Sequence, residues 1–252
     1  MSLNIWTESG AKPEGYEGSP WRVVEAQHVI STRKLVDSDE EQRLLEELLE
    51  SQKPPLPQEE AFEGLHYLLF TSFRYPPLRH GSRFASRFER SLWYGSERPR
   101  TALAEVAYYR LLFLEGTEAR LPPVMVELSV FQARVRSSLA VDLAGEAFRP
   151  WAALLESKIS YAATQALGRA AREAGVEVLR YRSARDPQGG LNVALFTPKA
   201  FAEKRPRPPR TWLCVATRER VEFRLRDYFV RENLVFSREV FEVEGALPAP
   251  AT

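Results

Sequence analysis

The chain has 252 residues, 44% hydrophobic and 27% charged, with a formal net charge of +1 and one cysteine, Cys214. A near-neutral balance gives no electrostatic push toward nucleic acid or anionic membrane; one cysteine excludes an intrachain disulfide, and with three histidines (His28, His66, His80) it argues against a structural zinc site of the usual kind; no metal is expected. No apolar run approaches the roughly 20 residues of a membrane span, and the first residues, "MSLNIWTESGAKPEGYEGSPW", lack the basic segment and apolar core of a signal peptide, so the cytoplasm is the expected compartment.

Residues 1 to about 20 are polar, rich in Gly and Pro, and read as a loose arm. "WRVVEAQHVIST" (21–32) has strand-like Val and Ile content. "SDEEQRLLEELLESQ" (38–52) reads as a helix. Ser38 and Glu41 form a capping box, Leu44, Leu45, Leu48 and Leu49 form one apolar stripe, and "KPPLP" stops it. Amphipathic helices of this length mostly serve the core, so the stripe is expected to pack on the domain, with partner docking as the alternative.

"HYLLFTSFRYPPLRHGSRF" (66–84) is punctuated by Pro-Pro and Gly, which puts Arg74, Tyr75, Arg79 and Arg83 on or beside a loop. "SLWYGS" (91–96) is a short strand, and "RTALAEVAYYRLLFLEG" (100–116) a helix with Thr101 as N-cap. "PVMVELSVFQARVRSSLAVDL" (123–143) reads as two strands. "SYAATQALGRAAREAG" (160–175) is a second clear helix, capped by Ser160 and stopped at Gly175. "VEVLRYRS", "ARDPQGG" and "LNVALFTP" then form a hairpin. After a Pro/Arg linker (203–210) come two or three more strands, too short a tail for its own core, so it packs on the main body. Strands and helices do not alternate regularly, which argues for α+β rather than a doubly wound parallel sheet.

Three features could carry chemistry. Glu105 lies in an otherwise apolar helical run, with Thr101, Ala102, Tyr108, Tyr109 and Leu112 on its face. Such a setting raises a carboxylate's pKa unless a cation is near; a structural ion pair or a hydrogen bond to a tyrosine is the plain alternative. Arg74, Arg79 and Arg83 alternate with Tyr75, His80 and Phe84. Arginine forks bind phosphate oxygens and aromatics stack on flat rings, so the loop suits a nucleotide diphosphate, or is simply solvated. Ser183 ends a strand before a turn, a place for a ligand-facing hydroxyl or for an ordinary turn cap. No Gly-rich phosphate loop, GxSxG, HExxH or CxxC is present.

Taken together, "GSRF", "LWYGS", "TALAEV" and "YRSAR" followed by "NVALF" resemble the RES domain, a family named for Arg, Glu and Ser residues in that order. The resemblance implies an ADP-ribosyltransferase-like β core with flanking helices, spanning about 66–203. Residues 1–65 become an N-terminal extension and 204–252 a C-terminal β segment of one compact domain. It also implies NAD as the substrate, cleaved at the nicotinamide–ribose bond by a glycohydrolase, a phosphorylase or an ADP-ribosyltransferase. The wider setting would be a toxin paired with an Xre-type antitoxin; a homodimer stays open, as does an inactive nucleotide-binding module of the same fold. By correspondence, Glu105, Arg83 and Ser183 are the catalytic set, and Arg74, Arg83, Tyr94 and Ser183 bind NAD. Arg22 in "WRVVE" is a candidate for the arginine that opens shorter members, which would make residues 33–72 an insertion.

Overall fold

The structure, a computed structural model, describes residues 5–26, 36–55, 59–77, 79–119 and 121–249. One mixed sheet of ten strands organises them. The strands are β1 (Glu14–Gly18), β2 (Trp21–Glu25), β3 (Trp93–Ser96), β4 (Val124–Gln132), β5 (Val135–Asp142), β6 (Val178–Arg182), β7 (Leu191–Leu195), β8 (Arg210–Ala216), β9 (Arg220–Leu225) and β10 (Asn233–Ser237). Their order across the sheet is β1-β5-β6-β7-β3-β2-β4-β8-β9-β10. The helices are α1 (Ile5–Ser9), α2 (Asp39–Ser51), α3 (Tyr67–Arg74), α4 (Pro99–Glu115), α5 (Ala152–Leu155) and α6 (Ala162–Glu173). β5 and β6 pair in parallel, and their connection runs through α5 and α6, because parallel neighbours need a crossover. The remaining strand pairs are antiparallel, so the fold is α+β.

Packing follows the two periodicities of the chain. Along β7, Val193 and Leu195 enter a core with Phe73 of α3, Trp93 and Phe131. Ala194 faces the opposite core, with Leu167 of α6, Leu179 and Tyr181. Both faces are covered there, which is why β7 reads as a nearly continuous apolar run. At the other end of the sheet α4 lays Leu103, Ala107, Leu111 and Leu114 on β4, β8, β9 and β10. α6 approaches the preceding loop so closely that a Cβ on Gly168 would stand 2.2 Å from the Phe84 carbonyl oxygen.

Several expectations change. The arm is not loose: within it Ile5 is buried on α1, and β1 forms one edge of the sheet, whereas residues 1–4 lie outside the described residues. The strand expected over 21–32 is β2 up to Glu25, and residues 27–32 lie outside the described residues. The first half of the expected arginine loop is α3, capped by the His66 ring nitrogen accepting from Leu68 N–H. Pro76 and Pro77 end that helix rather than setting the whole segment as a loop. Arg98, not Thr101, is the N-cap of α4; Thr101 is buried and bonded elsewhere. The Ser38–Glu41 cap forms, with Glu41 N–H donating to Ser38 Oγ at 3.1 Å. Yet Leu44, Leu48 and Leu49 remain 56%, 54% and 47% exposed, so among the described residues the body does not cover the stripe of α2.

Candidate active site

The site grows from one row across three strands. Ser96 on β3 pairs with Asn192 on β7, which pairs with Tyr181 on β6. Residues in such a row share a face, and Ser96 Oγ donates to Asn192 Oδ1 at 2.6 Å. That bond fixes the amide so that its nitrogen points to α4, where Asn192 Nδ2 donates to Glu105 Oε1 at 2.7 Å. α4 begins three residues after β3 ends, so Glu105 comes back over the row within two helical turns.

A second donor comes from the turn after β6. Ser183 Oγ accepts from Arg185 N–H (3.1 Å) and Asp186 N–H (3.0 Å), and donates to Glu105 Oε1 at 2.6 Å. A hydroxyl has one proton to donate, so the two amides orient that proton at the carboxylate. The turn is fastened to α4 a second time: Thr101 Oγ1 donates to Asp186 Oδ2 at 2.7 Å. Thr101 and Glu105, one helical turn apart, therefore form a single seam with this turn. Only glycine fits at 190, where a Cβ would lie 2.0 Å from Thr101 Oγ1. Arg185 anchors the turn from below, its guanidinium 3.6 Å from the centre of the Tyr108 ring.

Glu105 opens onto a cleft of about 510 Å³. Ala102, Val106 and Tyr109 continue the wall along α4, and Tyr161 and Tyr94 line it as well. Two arginines enter this cleft, and among the described residues neither pairs with a carboxylate. Arg83 is buried, donates to the backbone oxygens of Leu155 and Ser157 at 3.0–3.2 Å, and lies 4.7 Å from the Tyr161 ring centre. Arg22 donates to the Tyr94 carbonyl at 2.7 Å and stacks over Trp93, and among the described residues its Nε has no partner. Burial pushes its pKa down to about 10, still a cation at neutral pH. The Tyr94 hydroxyl is tied to Ser82 Oγ (2.9 Å) and accepts from Phe84 N–H (3.2 Å). Burial pushes its pKa up to about 12, against the pull of Arg83.

Of the residues expected from sequence, Glu105, Arg83 and Tyr94 line one cleft. Ser183 stands behind Glu105, and its hydrogen-bonding capacity is used within the protein. Arg74 is not brought to the cleft: it closes α3 and donates to the Pro54 carbonyl at 2.6 Å, although Tyr75 and Pro76 beside it do line the wall. Sequence reasoning missed Asn192 and Ser96. The available signal was a polar residue inside the apolar run "LNVALF", since buried amides must be bonded to something. Among the described residues no group of His, Cys, Asp or Glu could hold a metal, and no helix is long and apolar enough to cross a membrane.

A family model described as RES domain matches residues 59–216, more than half of the chain. None of the curated proteins compared matches it. The matched segment contains Arg83, Glu105, Ser183 and Asn192, whereas β2 with Arg22 precedes it and β9 and β10 follow it.

Proposed function

The chain belongs to the RES domain family, whose activity is NAD-related, and we propose that it is an enzyme that consumes NAD by cleaving the nicotinamide–ribose bond. The observation that carries this reading is the clamp on Glu105. Two donors, Ser183 and Asn192, hold one carboxylate oxygen at the wall of a cleft that also contains Arg22 and Arg83.

Cleavage sends the bonding electron pair to the nicotinamide nitrogen, which leaves neutral, and puts cationic character on ribose C1′, as in glycoside hydrolysis. A carboxylate fixed beforehand stabilises that charge without reorganising during the reaction. In this reading Glu105 faces the ribose, and Ser183 and Asn192 are positioning residues that hold it. Arg83 and Arg22, which among the described residues pair with no carboxylate, bind the diphosphate as cations. The Tyr94 ring stacks on nicotinamide, its hydroxyl already committed to Ser82 and Phe84. The new bond at C1′ forms to water, phosphate or a protein side chain, whose proton passes to solvent. We read the unit as one domain, a reading supported by the strands before the matched region (β1, β2) and after it (β9, β10) sharing its sheet. Biologically it acts as the toxin of a toxin–antitoxin pair, held in check by an Xre-type protein, within the cytoplasm.

The test is NAD loss and nicotinamide release by purified protein, in water alone and with added phosphate. Release in both conditions, abolished by Glu105→Gln, marks a glycohydrolase. Release only with phosphate marks a phosphorylase, and release only with a protein acceptor marks a transferase. NAD binding with no release under any condition would overturn the enzymatic reading in favour of a binding module. No binding would overturn the NAD reading altogether.

A further inference from the structure

The two edges of the sheet differ in chemistry. β1, "EGYEG", carries two glutamates, two glycines and a break in register between Glu14 and Tyr16, the devices that keep an edge strand from pairing with another chain. β10, "NLVFS", has no charge, no proline and no glycine, and among the described residues nothing pairs with its outer edge. Val235 on it is 55% exposed. The loop that leads into β10 presents Tyr228 and Phe229 at 94% and 90% exposure, an apolar surface that a monomer rarely keeps.

Glu232 C=O accepts from Leu225 N–H, and Arg238 N–H donates to Glu219 C=O. Antiparallel alternation then turns the backbone groups of Leu234 and Phe236 toward β9, and those of Asn233, Val235 and Ser237 toward the open edge. We infer that this edge pairs antiparallel with β10 of a second copy, across a two-fold axis at Val235, to give a homodimer with one continuous sheet.

The strand itself, "NLVFS" (233–237), is self-complementary in that register. Val235 meets Val235 of the second copy, and Asn233 meets Ser237, so the outward backbone groups can bond reciprocally. Leu234 meets Phe236 on the core side. Beyond the strand Arg238–Val240 turns as a 3-10 helix and Arg238 is paired with Glu115 and Glu242; Arg231 and Glu239 are exposed with no ion pair among the described residues, and the two-fold brings the end of one copy that carries Arg231 to the end of the other that carries Glu239. Parallel pairing would separate those two ends and lose the match. The segment lies beyond the matched region and does not depend on the NAD reading.

Sedimentation velocity of the full chain over a concentration series tests the inference. The wild type is expected to dimerise reversibly. Arg231→Glu and Glu239→Arg should each weaken the dimer about tenfold, because each reversal acts twice across the two-fold axis. The double variant Arg231→Glu/Glu239→Arg should restore it. Val235→Pro removes only an outward N–H, so it should leave the fold intact by circular dichroism and weaken the dimer by about thirtyfold or more. A wild type that stays monomeric throughout overturns the inference. So does a dimer that all three single variants leave unchanged.

Discussion

Replacing Ser183 by alanine tests the clamp directly. The hydroxyl makes three hydrogen bonds: it donates to Glu105 and accepts from the amides of Arg185 and Asp186, and the residue is buried. A bond to a carboxylate contributes about 1.5–3 kcal/mol, and a buried amide left without an acceptor costs about 1–3 kcal/mol. Taking the lower value for the bond and for each of the two amides, the sum for Ser183→Ala is about 4 kcal/mol, a large part of the roughly 5–15 kcal/mol that holds a domain together. With a urea dependence of about 3 kcal/mol per molar, the unfolding midpoint should fall by about 1.3 M. The five tryptophans provide the fluorescence signal. A double-mutant cycle isolates the bond to the carboxylate: in a Glu105→Ala background, Ser183→Ala should cost about 2 kcal/mol less. Equal costs in both backgrounds, or a midpoint within about 0.3 M of wild type, would refute the geometry described for Glu105.

Glu105→Gln should keep the fold and reduce NAD turnover by about a hundredfold or more, read as nicotinamide release; unchanged turnover removes Glu105 from the chemistry. Gly190→Ala forces a Cβ to within 2.0 Å of Thr101 Oγ1 and 2.5 Å of Asp186 Oδ2, so its melting temperature should drop well below wild type, and a neutral result would mean the turn is looser than drawn. Arg22→Gln should raise the NAD dissociation constant by about tenfold or more in calorimetry; an unchanged constant places Arg22 outside the site. Tyr94 and Tyr108 are each held up to about 12 by burial. Since their folded pKa lies above the unfolded value, the native state keeps protons that the unfolded state loses. Stability is therefore complete below about pH 10 and falls, by about 1.4 kcal/mol per pH unit per group, between pH 10 and pH 12. Denaturation at pH 9 and pH 11 checks this, and equal stabilities would contradict it.

The exposed stripe of α2 shows the limit of pattern reading. Leu44, Leu48 and Leu49 make an unmistakable helix face, but periodicity says only that a face exists, not what covers it. Thr101 makes the same point at smaller scale. Its residue type and place suggest a cap, whereas the structure commits its hydroxyl to Asp186, 85 residues away.

What the sequence by itself determined was local: the helices α2, α4 and α6, the hairpin of β6 and β7, and the singular position of Glu105 in an apolar run. These are written in contacts between residues two to four apart, which leave a period in the chain. The family resemblance added an ordered set of motifs, with Arg83, Glu105 and Ser183 among them. Only the tertiary structure decided the strand order, the inclusion of β1 and β2 in the sheet, the removal of Arg74 from the cleft, and the presence of Arg22, Ser96 and Asn192 in it. The bonds that assemble the site join residues 78, 87 and 96 positions apart. Such bonds are set by register between strands and by the docking of α4 on them, and separations of that length imprint no period on a single sequence.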